Sequence, residues 1–265
     1  MSENRERKLD LNKFHIDLRE GSSVGKTIAV MSGKGGVGKS SVSTILASEL
    51  SKKGYKVAVL DADITGPSIP KSFGLNENIR ATREGIMKPQ ETETGIKVVS
   101  INLILEDKTA PVIWRSSIVT NILKQFWTDV DWGEIDYMIV DMPPGTSDVP
   151  LTVFQSLPID GVVAVTTPQD LVGMVVEKSL NMAKMMGKKV LGIVENMSYF
   201  VAPDTGKKYK IFGEGSVDKI VEKFAIPAVA KMPINPEITK LIDQGKIEEI
   251  DGEALKDIIA SIESL

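Results

Sequence analysis

Residues 33–40 read GKGGVGKS, a glycine-rich stretch with two lysines. Glycines let the backbone wrap closely around phosphate oxygens, so that successive N–H groups point at them. In such a loop the second lysine, Lys39, meets the β- and γ-phosphates of a nucleotide, and the Ser40 hydroxyl sits on Mg²⁺. Gly33, Gly35, Gly36, Val37, Gly38 and Ser41 complete the cradle. A glycine-rich turn without ligand is the bland alternative; a strand pattern before the loop and a helix pattern after it favour the phosphate reading. Lys34 does not easily reach phosphates already held by its own Lys39, and a solvated loop lysine is its bland reading.

Three carboxylates fall where such a site needs them. Asp141 ends the apolar run YMIVD. A carboxylate at the end of a parallel strand lies at the rim where ligands bind, so Asp141 can hold Mg²⁺ through water. Asp61 and Asp63 follow the run KVAVL, and beside metal and phosphate one of them could orient an attacking water. Asp is also common in caps and turns; the coincidence with the phosphate loop favours function. Pro143-Pro144-Gly145 suits a switch whose glycine N–H reads the γ-phosphate.

These residues need a scaffold of alternating strands and helices. KTIAVM (26–31), KVAVL (56–60), VVSI (98–101), YMIVD (137–141), GVVAVTT (161–167), KVLGIVEN (189–196) and AVAKMP (228–233) are β-branched, apolar runs that predict buried strands. Helical spacing of apolar residues predicts helices from Ser40 to Lys53, over 115–127 and at about 170–186. Asn235 and Pro236 predict a capped helix to about Gln244, and a short acidic helix closes the chain. Repeated strand–helix–strand units give an α/β fold, a mostly parallel sheet covered by helices on both faces. The stretch 76–97 reads as an excursion or β-ribbon. The domain reading is a polar arm over 1–23 and one domain over 24–265.

Composition removes several chemistries. The 265 residues include no cysteine, so disulfides, thiolate metal sites and cysteine nucleophiles are all excluded. The single histidine, His15, lies in the polar arm without a partner ligand. Net charge is −4, and basic residues occur only in short pairs such as Lys188-Lys189 and Lys207-Lys208, which argues against a nucleic-acid partner. No run of about 18 apolar residues is present, and the first 23 residues lack the apolar centre of a secretory signal, so a cytoplasmic protein without a membrane partner is expected. The last 19 residues, IEEIDGEALKDIIASIESL, carry more acids than bases, unlike a basic membrane-binding helix. Ile258, Ile259 and Ile262 are expected to pack against the domain. The stripe 118–127 and Met174, Met182, Met185 and Met186 read mainly as core, with interface as the alternative.

GKGGVGKS resembles the deviant Walker A motif of the MinD/ParA/nitrogenase-iron-protein class of ATPases. The resemblance implies a three-layer P-loop NTPase fold and a homodimer with two ATP molecules sandwiched between protomers. It also implies that Lys34 crosses to the partner's nucleotide and neutralises charge there, as an arginine finger does. DADITGPSIPKSFG (61–74), VDMPPGTSD (140–148), TTPQD (166–170), ENMSYF (195–200) and IFGEG (211–215) look like the Mrp-type branch, over about Lys26 to Gly245. Members of that branch hydrolyse ATP, bind iron–sulfur clusters and hand them to apoproteins. Carried over by position, Asp63 matches the switch aspartate and joins Ser40 and Asp141 around Mg²⁺, directly or through water; Asn196 matches the adenine contact, and Pro233 the segment flanking the base. Apoprotein clients or iron–sulfur assembly proteins are the partners so implied.

One departure matters. After ENMSYF the branch usually carries a Cys-Pro-x-Cys pair that holds a cluster across the dimer. This chain has VAPDTG, with Ala202 and Thr205 at the two ligand positions. Neither binds iron as a thiolate does, and the Asp204 oxygen is a poor substitute. PDTGKKY reads as a plain turn. The cysteines have either been lost, leaving an ATP-driven switch, scaffold or assembly partner, or been replaced by design. The expectation is a slow, dimeric Mg²⁺–ATPase of the cluster-carrier type with no iron–sulfur ligands. A MinD/ParA-like positioning ATPase is the alternative.

Overall fold

A computed structural model of the chain describes residues 16–63, 66, 68–104, 116–146 and 148–265. His15 and most of the polar arm lie outside the described residues, as do the side chains of 170–174, Met174 among them. Seven strands run parallel: β1 (Ser23–Ser32), β2 (Val57–Asp61), β4 (Lys97–Ser100), β5 (Glu134–Asp141), β6 (Gly161–Thr166), β7 (Lys189–Val201) and β9 (Val229–Pro233). The two-residue strands β3 (Gln90–Glu91) and β8 (Lys208–Tyr209) are antiparallel. The order is β3-β4-β2-β5-β1-β6-β7-β8, with β9 also pairing with β7. The expected ribbon in 76–97 is thus a small one, ending where β3 meets β4.

Every residue of β2 and β6 is buried. Alternate side chains of a strand point to opposite faces, so both faces of the sheet are covered, as a parallel sheet requires. The cover comes from α1 (Lys39–Lys52), α2 (Ile69–Ser72), α3 (Ser116–Thr128), α4 (Asp148–Ser156), α5 (Asp170–Met185), α6 (Val217–Phe224), α7 (Pro236–Gln244) and α8 (Lys256–Glu263). The helix α7 starts as its sequence predicts: the Asn235 side chain accepts from Glu237 N at 2.9 Å, and Pro236 occupies the first turn.

Ile258, Ile259 and Ile262 of α8 are buried in the core, which is worth about 2 kcal/mol for each side chain. On α3 the stripe divides. Leu123, Phe126 and Trp127 are buried, whereas Ile118 is exposed. Among the methionines Met186 is buried, Met182 is half-buried and Met185 is exposed. The end of the arm joins the core: Ile16 and Leu18 pack on it, and Trp127 Nε1 donates to the Ile16 carbonyl at 2.8 Å.

Register sets up the site. Asp141 is level with Val30 of β1 and with Asp61 of β2. The carboxylate-bearing ends of β2 and β5 therefore flank the end of β1, from which GKGGVGKS departs.

Candidate functional site

The loop is shaped by its glycines. Gly36 and Gly38 have φ of 81° and 85°, a left-handed region that costs a residue with Cβ about 1 kcal/mol or more. At Gly38 a Cβ would also stand 2.2 Å from Asn196 Nδ2, and at Gly33 it would stand 2.7 Å from the Val175 carbonyl carbon of α5. The Ser32 hydroxyl donates to the Lys34 carbonyl at 2.9 Å, and Asn196 Nδ2 donates to the Val37 carbonyl at 3.0 Å. Loop carbonyls are thereby turned outward and tied to the frame.

Inside lies a cavity of about 400 Å³, lined by Gly35, Gly36, Gly38, Lys39, Ser40 and Asp63 among others. The Lys39 ammonium is buried, 2.7 Å from Asp141 Oδ2 and 3.5 Å from Asp63 Oδ2. Asp141 is fully buried. Beyond the lysine it accepts from Ser40 Oγ at 2.7 Å and from Ser43 Oγ at 2.6 Å. The sequence reading missed Ser43. It stands one turn beyond Lys39 on α1, and that spacing was the available signal.

Asp61 stands differently from Asp63. It does not line the cavity: its carboxyl is buried beneath the loop, accepting from Asp63 N at 3.1 Å and from Ser100 Oγ at 2.9 Å. Burial pushes this carboxyl up to about 8; the Asp141 charge adds to the rise and Lys39 opposes it. Of the two candidates only Asp63 faces the space where water and phosphate would meet, and Asp61 holds the Asp63 backbone.

Two further residues sit apart from their expected contacts. The Gly145 N–H donates to the Ser32 carbonyl at 2.9 Å, and Pro144 lines the cavity in its place. Lys34 does not line the cavity either; its ammonium reaches an exposed position and donates to Gln169 Oε1 at 3.0 Å.

A second, smaller cavity of about 250 Å³ adjoins the first, sharing Gly38 and Ser41. Val42, Asn196, Met232, Pro233 and Ile238 line it. A slot with apolar walls and one amide suits a flat heterocycle. Asn196 and Pro233, far apart in sequence, are brought together here by the pairing of β7 with β9.

The residues fit a hard cation such as Mg²⁺. No group of three or more His, Cys, Asp or Glu that could hold a metal occurs among the described residues. Mg²⁺ keeps several waters and binds through one or two protein oxygens plus phosphates, and Ser40 with Asp141 offers that set.

The family model for ParA-type proteins, described as NUBPL iron-transfer P-loop NTPase, matches residues 23–264. The chain belongs to this family. Among curated relatives of this NTPase, the iron-sulfur cluster carrier protein of Clostridium perfringens is 48% identical over 238 residues, 87% of this chain and 84% of that one. The cytosolic Fe-S cluster assembly factor CFD1 of Saccharomyces cerevisiae is 43% identical over 82% of this chain and 76% of its own. Among solved structures, a nucleotide-binding protein from Archaeoglobus fulgidus in complex with ADP has a TM-score of 0.79 at 42% identity, covering 88% of this chain and 91% of that one. The cell division ATPase MinD of Pyrococcus furiosus has a TM-score of 0.64 at 21% identity and shares the fold. No helix among the described residues of this NTPase is long and apolar enough to cross a membrane.

The segment that should hold a cluster does not fit one. Ala202 to Gly206 form the tip of the hairpin between β7 and β8, closed by Ala202 N to Lys207 O at 2.9 Å and Gly206 N to Ala202 O at 2.8 Å. Thr205 is exposed, and the chain has no cysteine to supply a thiolate. The expected plain turn is what stands there.

Proposed function

We propose that the chain is a dimeric ATPase of the iron–sulfur cluster assembly type that holds no cluster on its own hairpin. The carrying observation is the buried Lys39 ammonium, set between Asp141 and Asp63 at the mouth of a glycine-lined cavity. An ammonium so placed can exchange carboxylate for phosphate oxygens when a nucleotide enters. Ser40 and Asp141 would hold Mg²⁺, the carboxylate through water. The ion, when bound, neutralises charge on the β- and γ-oxygens. Asp63 orients the attacking water. Asn196 and Pro233 hold the adenine in the adjoining slot.

Lys34 acts in trans. Its ammonium lies outside its own cavity, and among the described residues its partner is a neutral amide, so a second protomer's phosphates offer it a stronger contact. Gly145 exchanges its bond to Ser32 for the γ-phosphate when the site closes. The missing thiolates favour a nucleotide-driven switch or assembly partner over a carrier that ligates the cluster itself. Related proteins named as cluster carriers and assembly factors make apoprotein clients or assembly proteins the natural partners.

The test is ATP turnover as a function of protein concentration, with sedimentation in ATP and in ADP. Turnover per chain that rises with concentration, together with an ATP-dependent dimer, is expected. A monomer with concentration-independent turnover would overturn the reading.

A further inference from the structure

The end of the sheet opposite the phosphate loop carries another cavity, of about 570 Å³. It opens where β7 begins, between the ends of α5, α6 and α8. Its floor is apolar: Leu180 and Leu191 are buried, and Val190 and Phe224 close the sides. Four lysines ring it, Lys184, Lys188, Lys189 and Lys223.

Lys223 is committed to Glu177 at 2.7 Å. Lys184, Lys188 and Lys189 form no ion pair or side-chain hydrogen bond among the described residues. A last-turn lysine such as Lys184 or Lys223 favours the negative end of its helix and needs no ligand to explain it. Lys188 and Lys189 do not share that excuse, because they lie beyond α5, on the way into β7. Lys188 is half-buried, and burial pushes its ammonium down from the usual lysine range, with Asp160 opposing. The hydroxyls at the rim are spent: Ser261 Oγ donates to Leu191 O at 2.7 Å and Ser264 Oγ to Ser261 O at 2.8 Å. The uncommitted donors facing an apolar floor are therefore all cationic.

We infer that this cavity binds a small amphiphilic acid, a carboxylate or phosphate head on a short apolar chain, with the head against Lys188 and Lys189 and the chain over Leu180 and Leu191. The volume is that of a small-molecule site, and a charge-assisted contact to a partly desolvated lysine is the strong kind.

The test is calorimetric titration of the full-length protein with octanoate, octyl phosphate, octanol and inorganic phosphate. The Lys188→Gln/Lys189→Gln variant is titrated in parallel, and ATP binding by both proteins is the control for folding. Saturable binding of octanoate or octyl phosphate is expected, with octanol and inorganic phosphate each at least about tenfold weaker. In the variant, affinity for the acids falls about tenfold and ATP binding is unchanged. Preference for octanoate would assign a carboxylate head, and preference for octyl phosphate a phosphate head. Octanol binding as tightly as octanoate, inorganic phosphate matching octyl phosphate, an unaffected variant, or no saturable binding would each overturn the inference.

Discussion

Lys39 and Asp141 form an ion pair of 2.7 Å in which neither group is open to solvent. The pair links the two halves of the site, since Lys39 opens α1 and Asp141 ends β5. Breaking a buried pair by removing one partner is more damaging than losing the contact itself, because the remaining charge is stranded. Lys39→Ala therefore has two expected effects. The protein without nucleotide loses about 3 kcal/mol of stability, and ATP binding becomes undetectable by calorimetry. Urea unfolding read beside the titration separates them. An unchanged unfolding midpoint would show that the two serine hydroxyls alone satisfy Asp141.

Lys34 is expected to behave in the opposite way. Its contact with Gln169 is exposed, so Lys34→Ala leaves stability and ATP binding close to those of the parent. Dimer-dependent turnover falls about a thousandfold, the scale of a transferred cationic finger. Mixing the variant with a Lys39→Ala partner gives a sharper measurement. If Lys34 acts across the interface, hydrolysis in the mixture exceeds that of either variant alone; additive residual rates from a mixed dimer that sedimentation detects would place its action in cis.

Asp61 makes stability depend on pH. Its carboxyl ionises near 3.8 ordinarily and near 8 in the fold. A raised value means that the folded chain keeps a proton the unfolded chain releases. This contribution to stability is complete below pH 3.8 and is lost as pH climbs to about 8. Asp61→Asn keeps the shape and cannot ionise, so between pH 5 and pH 8 it becomes more stable than the parent, by an amount on the order of a few kcal/mol, and its melting temperature rises relative to the parent's. Thermal melts of both proteins without nucleotide at several pH values check it. Parallel curves would mean that Asp61 is ionised throughout.

The hairpin tip offers a gain-of-function measurement. Anaerobic incubation with iron and sulfide should leave the parent colourless, whereas Ala202→Cys/Thr205→Cys should bind iron with visible absorbance. Stoichiometric cluster in the parent would require ligands other than cysteine.

The parallel core was legible because β2 and β6 are buried throughout and the other parallel strands largely so, and burial on both faces writes a near-continuous apolar run. The phosphate loop was legible for a different reason, since few residues but glycine accept the backbone of Gly36 and Gly38. Other elements escaped or were cut short. Helix α4 starts with Asp148 and carries Pro150, which in sequence prolonged the turn signal of PPGTSD; in the first turn a proline has no intrahelical N–H bond to lose. Helix α6 has only eight residues, and Val217 and Ile220 are its only buried ones, so little apolar signal marks it. The strand β7 was expected to stop at Asn196 but runs on to Val201, because Met197 takes a positive φ of 56° and re-registers the strand without ending it. In the site, Asp61 and Asp63 looked interchangeable along the chain. Their division of labour depends on Ser100, 39 residues away, which engages Asp61 alone.

The irregularity at Met197 has a mechanical side. Asn196 holds the phosphate loop through the Val37 carbonyl and accepts from Met197 N at 3.0 Å, so a single amide sits at the fulcrum of β7. Beyond that point the strand extends to Val201 and the hairpin tip, an arm of roughly 17 Å at about 3.3 Å per residue. A turn of about 10° at the fulcrum would carry the tip about 3 Å over that arm. On the proposed reading, a base seated in the slot beside Asn196 would thereby shift Ala202 and Thr205, whether or not those two residues hold anything.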